Sequence, residues 1–155
     1  MKVSVIIPCY NEEEVLPLSH RRFSQVMGSI PYDYELIFIN DGSKDRTEEL
    51  LMGFARNDPH TKVLSFSRNF GHQNAVSAGL HNCTGDVAVI IDVDLQDPPE
   101  VIPQMIETHL REGSNVVYAV RNKREGETFM KKFTAKLYYR MLNSLSDYTF
   151  PVDTG

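Results

Sequence analysis

Apolar residues in this chain fall into short runs separated by amphipathic stretches. The runs are Val3 to Ile7, Glu35 to Ile39, Lys62 to Phe66, Val87 to Ile91 and Val116 to Val120. Each is bounded by Pro, Gly, Asn or Asp, the pattern of a strand, and the unbroken run Val87 to Ile91 predicts burial on both faces. Between the runs, the spacing predicts helices over Glu13 to Met27, Asp45 to about Arg56, the segment after Gly71 through His81, and Pro99 to about Glu112. Asp45 with Glu48 three residues on has the form of a capping box. Asp97, ahead of Pro98 and Pro99, stands where an N-cap belongs. Strand and helix alternate with short turns between them, which predicts an α/β domain: a mostly parallel, doubly wound sheet with helices on both faces.

After Val120 the period changes. Phe129, Phe133, Leu137, Met141 and Leu145 recur every fourth residue, with Lys131, Lys132, Lys136 and Arg140 on the opposite side. That spacing predicts a basic amphipathic helix, able to pack on a core by one face and to meet a membrane surface or anionic acceptor by the other. Charge follows the same division. The 155 residues carry a net −5, but Arg121 to Arg140 holds seven Lys or Arg against two Glu, a net +5, leaving −10 elsewhere. An acidic body with one basic segment favours a localised anionic partner over nucleic acid. No apolar run is long enough for a membrane span, which predicts a soluble stretch. Two cysteines, Cys9 and Cys83, make no disulfide framework, and the five histidines show no zinc spacing.

The chemistry concentrates in Asp86 to Glu100, DVAVIIDVDLQDPPE. On an extended chain, residues two apart point the same way, so Asp92, Asp94 and Gln96 would share one face at the end of a strand. Crowded carboxylates repel unless a cation sits among them. Oxygen-only donors favour Mg²⁺ or Mn²⁺, and Mg²⁺ prefers to share its shell with substrate phosphates. Ligands of open α/β sheets bind beyond the carboxyl ends of the strands. Pro8, Tyr10 and Glu12, then Asp41, then Arg68 and Gly71, and finally the Asp92 cluster all fall there. A dehydrogenase is disfavoured, because no G-x-G-x-x-G follows the first strand. Receiver domains and haloacid-type phosphatases want their acidic cluster after the first strand, whereas here it follows the fourth.

The order PCYNEE, NDGSKDRT, SRNFGHQNAVSAGL, TGD and DVDLQDPPE resembles the inverting glycosyltransferases of family 2, which have the GT-A fold. DLQDPPE and the later RNKREGET point to the polyprenyl-phosphate branch, the dolichol-phosphate mannose synthases and bactoprenol glucosyltransferases. The resemblance implies a UDP- or GDP-sugar donor, a polyprenyl phosphate acceptor, Mg²⁺ or Mn²⁺, and work at the cytoplasmic side of a membrane. Pro8, Tyr10 and Glu12 would line the nucleoside pocket, and Asp41 would hydrogen-bond the base. Asp92 would face the ribose or sugar, with Asp94 and Gln96 on the metal. Arg121, Arg124 and Lys131 would hold the acceptor phosphate, and Asp153 in the final PVDTG would stand beside the reacting centre. Residues 1–120 would form the donor-binding part and 121–155 a partial acceptor region, since the family motif begun by PVDTG normally continues. Two alternatives accompany this reading: transfer to a saccharide hydroxyl, with Asp153 as general base, and a nucleotide-binding half without activity.

Overall fold

A computed structural model describes residues 1–119. The chain divides into two compact units after Gln104, and the sheet and cavity described below lie entirely in the first. Four strands, β1 (Lys2–Cys9), β2 (Asp33–Asn40), β3 (Thr61–Ser65) and β4 (Val87–Ile90), form one sheet in the order β3-β2-β1-β4. All three pairings are parallel. The helices are α1 (Leu16–Met27), α2 (Thr47–Asn57), α3 (His72–Asn82) and α4 (Val101–Glu112).

The strand order explains the layers. From β1 to β2 to β3 the chain steps one way, then returns past β1 to β4. Right-handed crossovers therefore place α1 and α2 on one face and α3 on the other. Side chains agree. Phe38 meets the ring of His20 from α1 at 5.9 Å, while its neighbours Ile37 and Ile39 join Ile6 and Ala75 of α3 in one buried cluster. A Cβ on Gly79 would come within 2.4 Å of Ile6 Cγ2, so α3 packs at a distance only glycine permits.

Several boundaries differ from the sequence expectation. α1 begins at Leu16 rather than Glu13, because Glu12 O is taken by the amides of both Val15 and Leu16 in a preceding turn. α4 begins at Val101, four residues after Asp97. β4 stops at Ile90 and is buried on one face only: Val89 is covered and Ile90 is 49% exposed. On the exposed face, the one Ile90 shares with its ladder partner Ile6, α3 packs chiefly over β1 and β2 rather than β4. Val116 to Ala119 form no strand, and among the described residues they have no ladder partner. The expected helix over Phe129 to Leu145 lies outside the described residues.

At the amino-terminal end of the sheet, Glu35 is buried and fully partnered. Its carboxylate accepts from Ser4 Oγ at 2.6 Å and from Thr84 N at 2.7 Å, and pairs with Lys62 Nζ at 2.6 Å and Lys2 Nζ at 3.3 Å. Burial alone would raise its pKa, but Lys62, Ser4 and Thr84 together hold it far below the usual carboxylate range. The group thus stabilises the fold above its unfolded-state pKa of about 4.3, and that contribution drains away as pH falls towards the folded-state value. We expect Glu35→Gln to cost about 3–5 kcal/mol at pH 7, measured by urea unfolding. The gap to wild type should begin to close below about pH 4.3.

Candidate active site

A cavity of about 470 Å³ opens at the carboxyl end of the sheet, lined by Pro8, Cys9, Tyr10, Glu12, Asp41, Asn69, Gly71, His72, Ala75, Asp92, Val93 and Asp94. Its position follows from the topology. The strand order reverses at β1, which connects onward to β2 on one side and has β4 on the other, and ligands of open α/β sheets bind at such a switch point. Pro8 deepens it. Cys9 O bonds to the β2 side, at Asp41 N, and Ile6 O bonds to the β4 side, at Ile91 N. By alternation the Pro8 nitrogen faces β4, and it has no hydrogen to give. The two strands part there.

The loops around the cavity are tied to one another. Asn11, at φ 56°, takes a hydrogen bond from Lys44 N on its Oδ1 and gives its own amide to Ser43 Oγ. Glu12 N donates to Thr47 Oγ1 and Glu13 N to Asp45 Oδ2, while Glu13 Oε2 accepts from Arg46 N. Asp45 Oδ1 also accepts from Thr47 N, the first residue of α2, but the N-cap is Arg46 and the expected Asp45–Glu48 capping box does not form. Asp41 is buried, and both of its oxygens are engaged, by Phe70 N at 2.7 Å and Gly71 N at 2.9 Å. This bond pair holds the loop that leads into α3. Arg68 in that loop lies 4.7 Å over the Phe70 ring.

One wall of the cavity is acidic. Glu12 is held above the ordinary carboxyl range, first by partial burial and then by the negative charges of Asp94, Asp45 and Asp92. None of Glu12, Asp92 and Asp94 forms an ion pair among the described residues. Carboxylates that repel one another without a counter-charge are a donor set suited to a hard divalent cation. Among the described residues, however, no three His, Cys, Asp or Glu side chains already converge on one metal position. The Cys9 thiol is raised far above its usual range by burial and by Glu12, so it is no nucleophile.

Of the residues expected from sequence, Pro8, Tyr10, Glu12, Asp41, Gly71, Asp92 and Asp94 line this one cavity, and Arg68 and Gln96 do not. The shared face argued for Asp92, Asp94 and Gln96 requires an extended chain, and the chain turns instead. Asp94 Oδ1 accepts from Gln96 N at 3.0 Å, and Leu95 between them has φ 61°. Arg121, Arg124, Lys131 and Asp153 lie outside the described residues. Cys9, Asn69, His72, Ala75 and Val93 were not foreseen as lining. Asn69 and His72 belong to the loop and helix start after β3, so strand-end position alone could have found them.

Comparison with known proteins now decides the family. Residues 4–155 match the family described as Glycosyl transferase family 2. The chain belongs to that family. It is 50% identical over its whole length to an uncharacterized glycosyltransferase, YkcC, of Bacillus subtilis, covering 48% of that protein. It is 43% identical over its whole length to the prophage bactoprenol glucosyl transferase homolog of Escherichia coli, covering 50% of it. A bactoprenol glucosyl transferase of Shigella phage SfX is 44% identical over 94% of the chain and 48% of its own length. The family-2 chain thus spans about half the length of these curated relatives. Among solved structures, Staphylococcus aureus TarS 1-349 in complex with UDP-GlcNAc superposes with a TM-score of 0.66 at 23% identity, over 83% of this chain and 36% of TarS. Mycobacterium tuberculosis glucosyl-3-phosphoglycerate synthase gives 0.54 at 27% identity, over 70% of this chain and 40% of the synthase. The GT-A fold is therefore shared.

Gly42 shows how closely the loops fit. Its φ is +65°, and an added Cβ would lie 2.2 Å from the Arg68 carbonyl carbon. We expect Gly42→Ala to lose at least about 1–2 kcal/mol from the left-handed backbone alone, more from the contact. Urea unfolding checks this, and a loss below about 0.5 kcal/mol would contradict the fit.

Proposed function

We propose that this protein is an inverting glycosyltransferase that moves a hexose from a UDP- or GDP-sugar to a polyprenyl phosphate at a membrane surface. The observation that carries the proposal is the acidic wall of Glu12, Asp92 and Asp94, without an ion pair among the described residues, at the switch point of a family-2 fold. A cavity of about 470 Å³ falls in the range of small-molecule sites. The names of the bactoprenol relatives support the acceptor class. The membrane part of the proposal rests on that acceptor and on the basic segment after Val120. No helix among the described residues is long and apolar enough to cross a membrane.

In this reading Pro8, Tyr10 and Glu12 border the nucleoside, and the loop held by Asp41 borders it from the other side. Asp94 and Asp92 hold Mg²⁺ or Mn²⁺, with Gln96 adjacent. Once bound, the cation supplies neutralisation of the charge that grows on the diphosphate leaving group. Asp92 orients the sugar. The acceptor phosphate is already an anion at neutral pH, so it needs positioning more than it needs a base. Arg121, Arg124 and Lys131 are proposed for that task, by charge-assisted hydrogen bonds. If the acceptor were a saccharide hydroxyl, a base would be required, and Asp153 would be proposed for it.

The test is transfer by the full-length protein from radiolabelled UDP-glucose or GDP-mannose to undecaprenyl phosphate. We expect one donor to label the lipid, and Asp94→Ala to lower the rate by at least about 100-fold with an unchanged melting temperature. Label appearing only on saccharide would replace the acceptor class, and full activity of Asp94→Ala would remove the metal role.

A further inference from the structure

The turn that carries Asp94 is gripped at both ends by one helix. Ser19 of α1 is fully buried, and its hydroxyl lies 2.6 Å from Val93 O, the shorter of its two acceptor contacts, the other being Val15 O at 3.1 Å. Three residues further along the same helix, Arg22 Nη2 meets both carboxylate oxygens of Glu100, at 2.8 and 2.7 Å. Residues three apart on a helix share one face, so Ser19 and Arg22 present a common edge to the chain between Val93 and Glu100. Between the two anchor points lie the Asp94–Gln96 hydrogen bond and the left-handed Leu95. A segment that must turn this sharply, with its acids exposed beside Glu12, relies on outside contacts to hold one geometry.

We propose that Ser19 and Arg22 are positioning residues for the metal-binding carboxylates, with α1 acting as the rack on which the Asp94 turn is set. This rests on the assignment of Asp92 and Asp94 to a divalent cation. Neither residue lines the cavity. The Ser19 hydroxyl satisfies a buried carbonyl directly between the two acids, so its loss frees that carbonyl to tilt and moves both carboxylates. Outer contacts of this kind tune metal affinity about 10–100-fold. The Arg22–Glu100 pair is more exposed and acts at the far end of the segment, where its effect is smaller.

Mn²⁺ titration followed by electron paramagnetic resonance, with UDP or GDP present, reads the free-metal signal directly. Ser19→Ala is expected to raise the Mn²⁺ concentration for half-saturation about tenfold, and Arg22→Gln about twofold to fivefold. Ser19→Thr, which keeps the hydroxyl, should stay near wild type. Thermal melting in chelator separates positioning from folding, since a purely structural role would lower the melting temperature and leave the Mn²⁺ midpoint in place. If Ser19→Ala does not fold, Arg22→Gln decides alone, because its side chains lie near the surface. Unchanged midpoints in the folded variants would overturn this proposal only. A wild-type protein that takes up no Mn²⁺ with either nucleotide would overturn the metal assignment as well.

Discussion

The site exists because β1 and β4 cannot stay paired beyond Ile90. Pro8 offers no amide on the side that faces β4, and the ladder ends with the bond from Ile91 N to Ile6 O. Past that point the first and fourth loops diverge, one carrying Tyr10 and Glu12, the other Asp92 and Asp94. The central strands β1 and β2 are buried almost end to end, which fixes the floor of the crevice. What the sheet leaves open, the loops then close.

Those loops are ordered by backbone hydrogen bonds to side chains rather than by regular structure. The first and second are stitched through Asn11, Glu13, Asp45 and Thr47, and the second and third through Asp41. Asp41 illustrates how one residue can serve the cavity without facing it alone. Both of its oxygens hold the amides that begin the turn into α3, so a change at Asp41 moves the Gly71–His72 side of the cavity whatever base is bound. The acidic wall carries the opposite logic. Its residues are left without counter-charge among the described residues, a donor set suited to a divalent cation.

Much of this was legible in the residues. Short, largely apolar runs located β1, β2 and β3, and alternation with helices located the carboxyl ends where Pro8, Tyr10, Glu12, Asp41, Asp92 and Asp94 meet. Failures came where a local pattern was read without its neighbours. Val87 to Ile91 looks buried on both faces, but burial depends on what lies beside the strand, and Ala88 and Ile90 are exposed. Val116 to Ala119 is apolar enough for a strand, yet pairing needs a partner that sequence spacing cannot supply. Gln96 was placed with the acids by extended-chain geometry, which the left-handed Leu95 breaks. Ser19 gave no signal at all, since its importance comes from a carbonyl 74 positions away.

The central claim is that this cavity takes a nucleoside diphosphate together with a divalent cation. Calorimetric titration of the protein with UDP and with GDP, each in Mn²⁺ and in chelator, tests it most directly. The account predicts that one of the two nucleotides binds in Mn²⁺ and loses at least about tenfold in affinity in chelator. Absence of binding by both, or binding of equal strength with and without the metal, would contradict it.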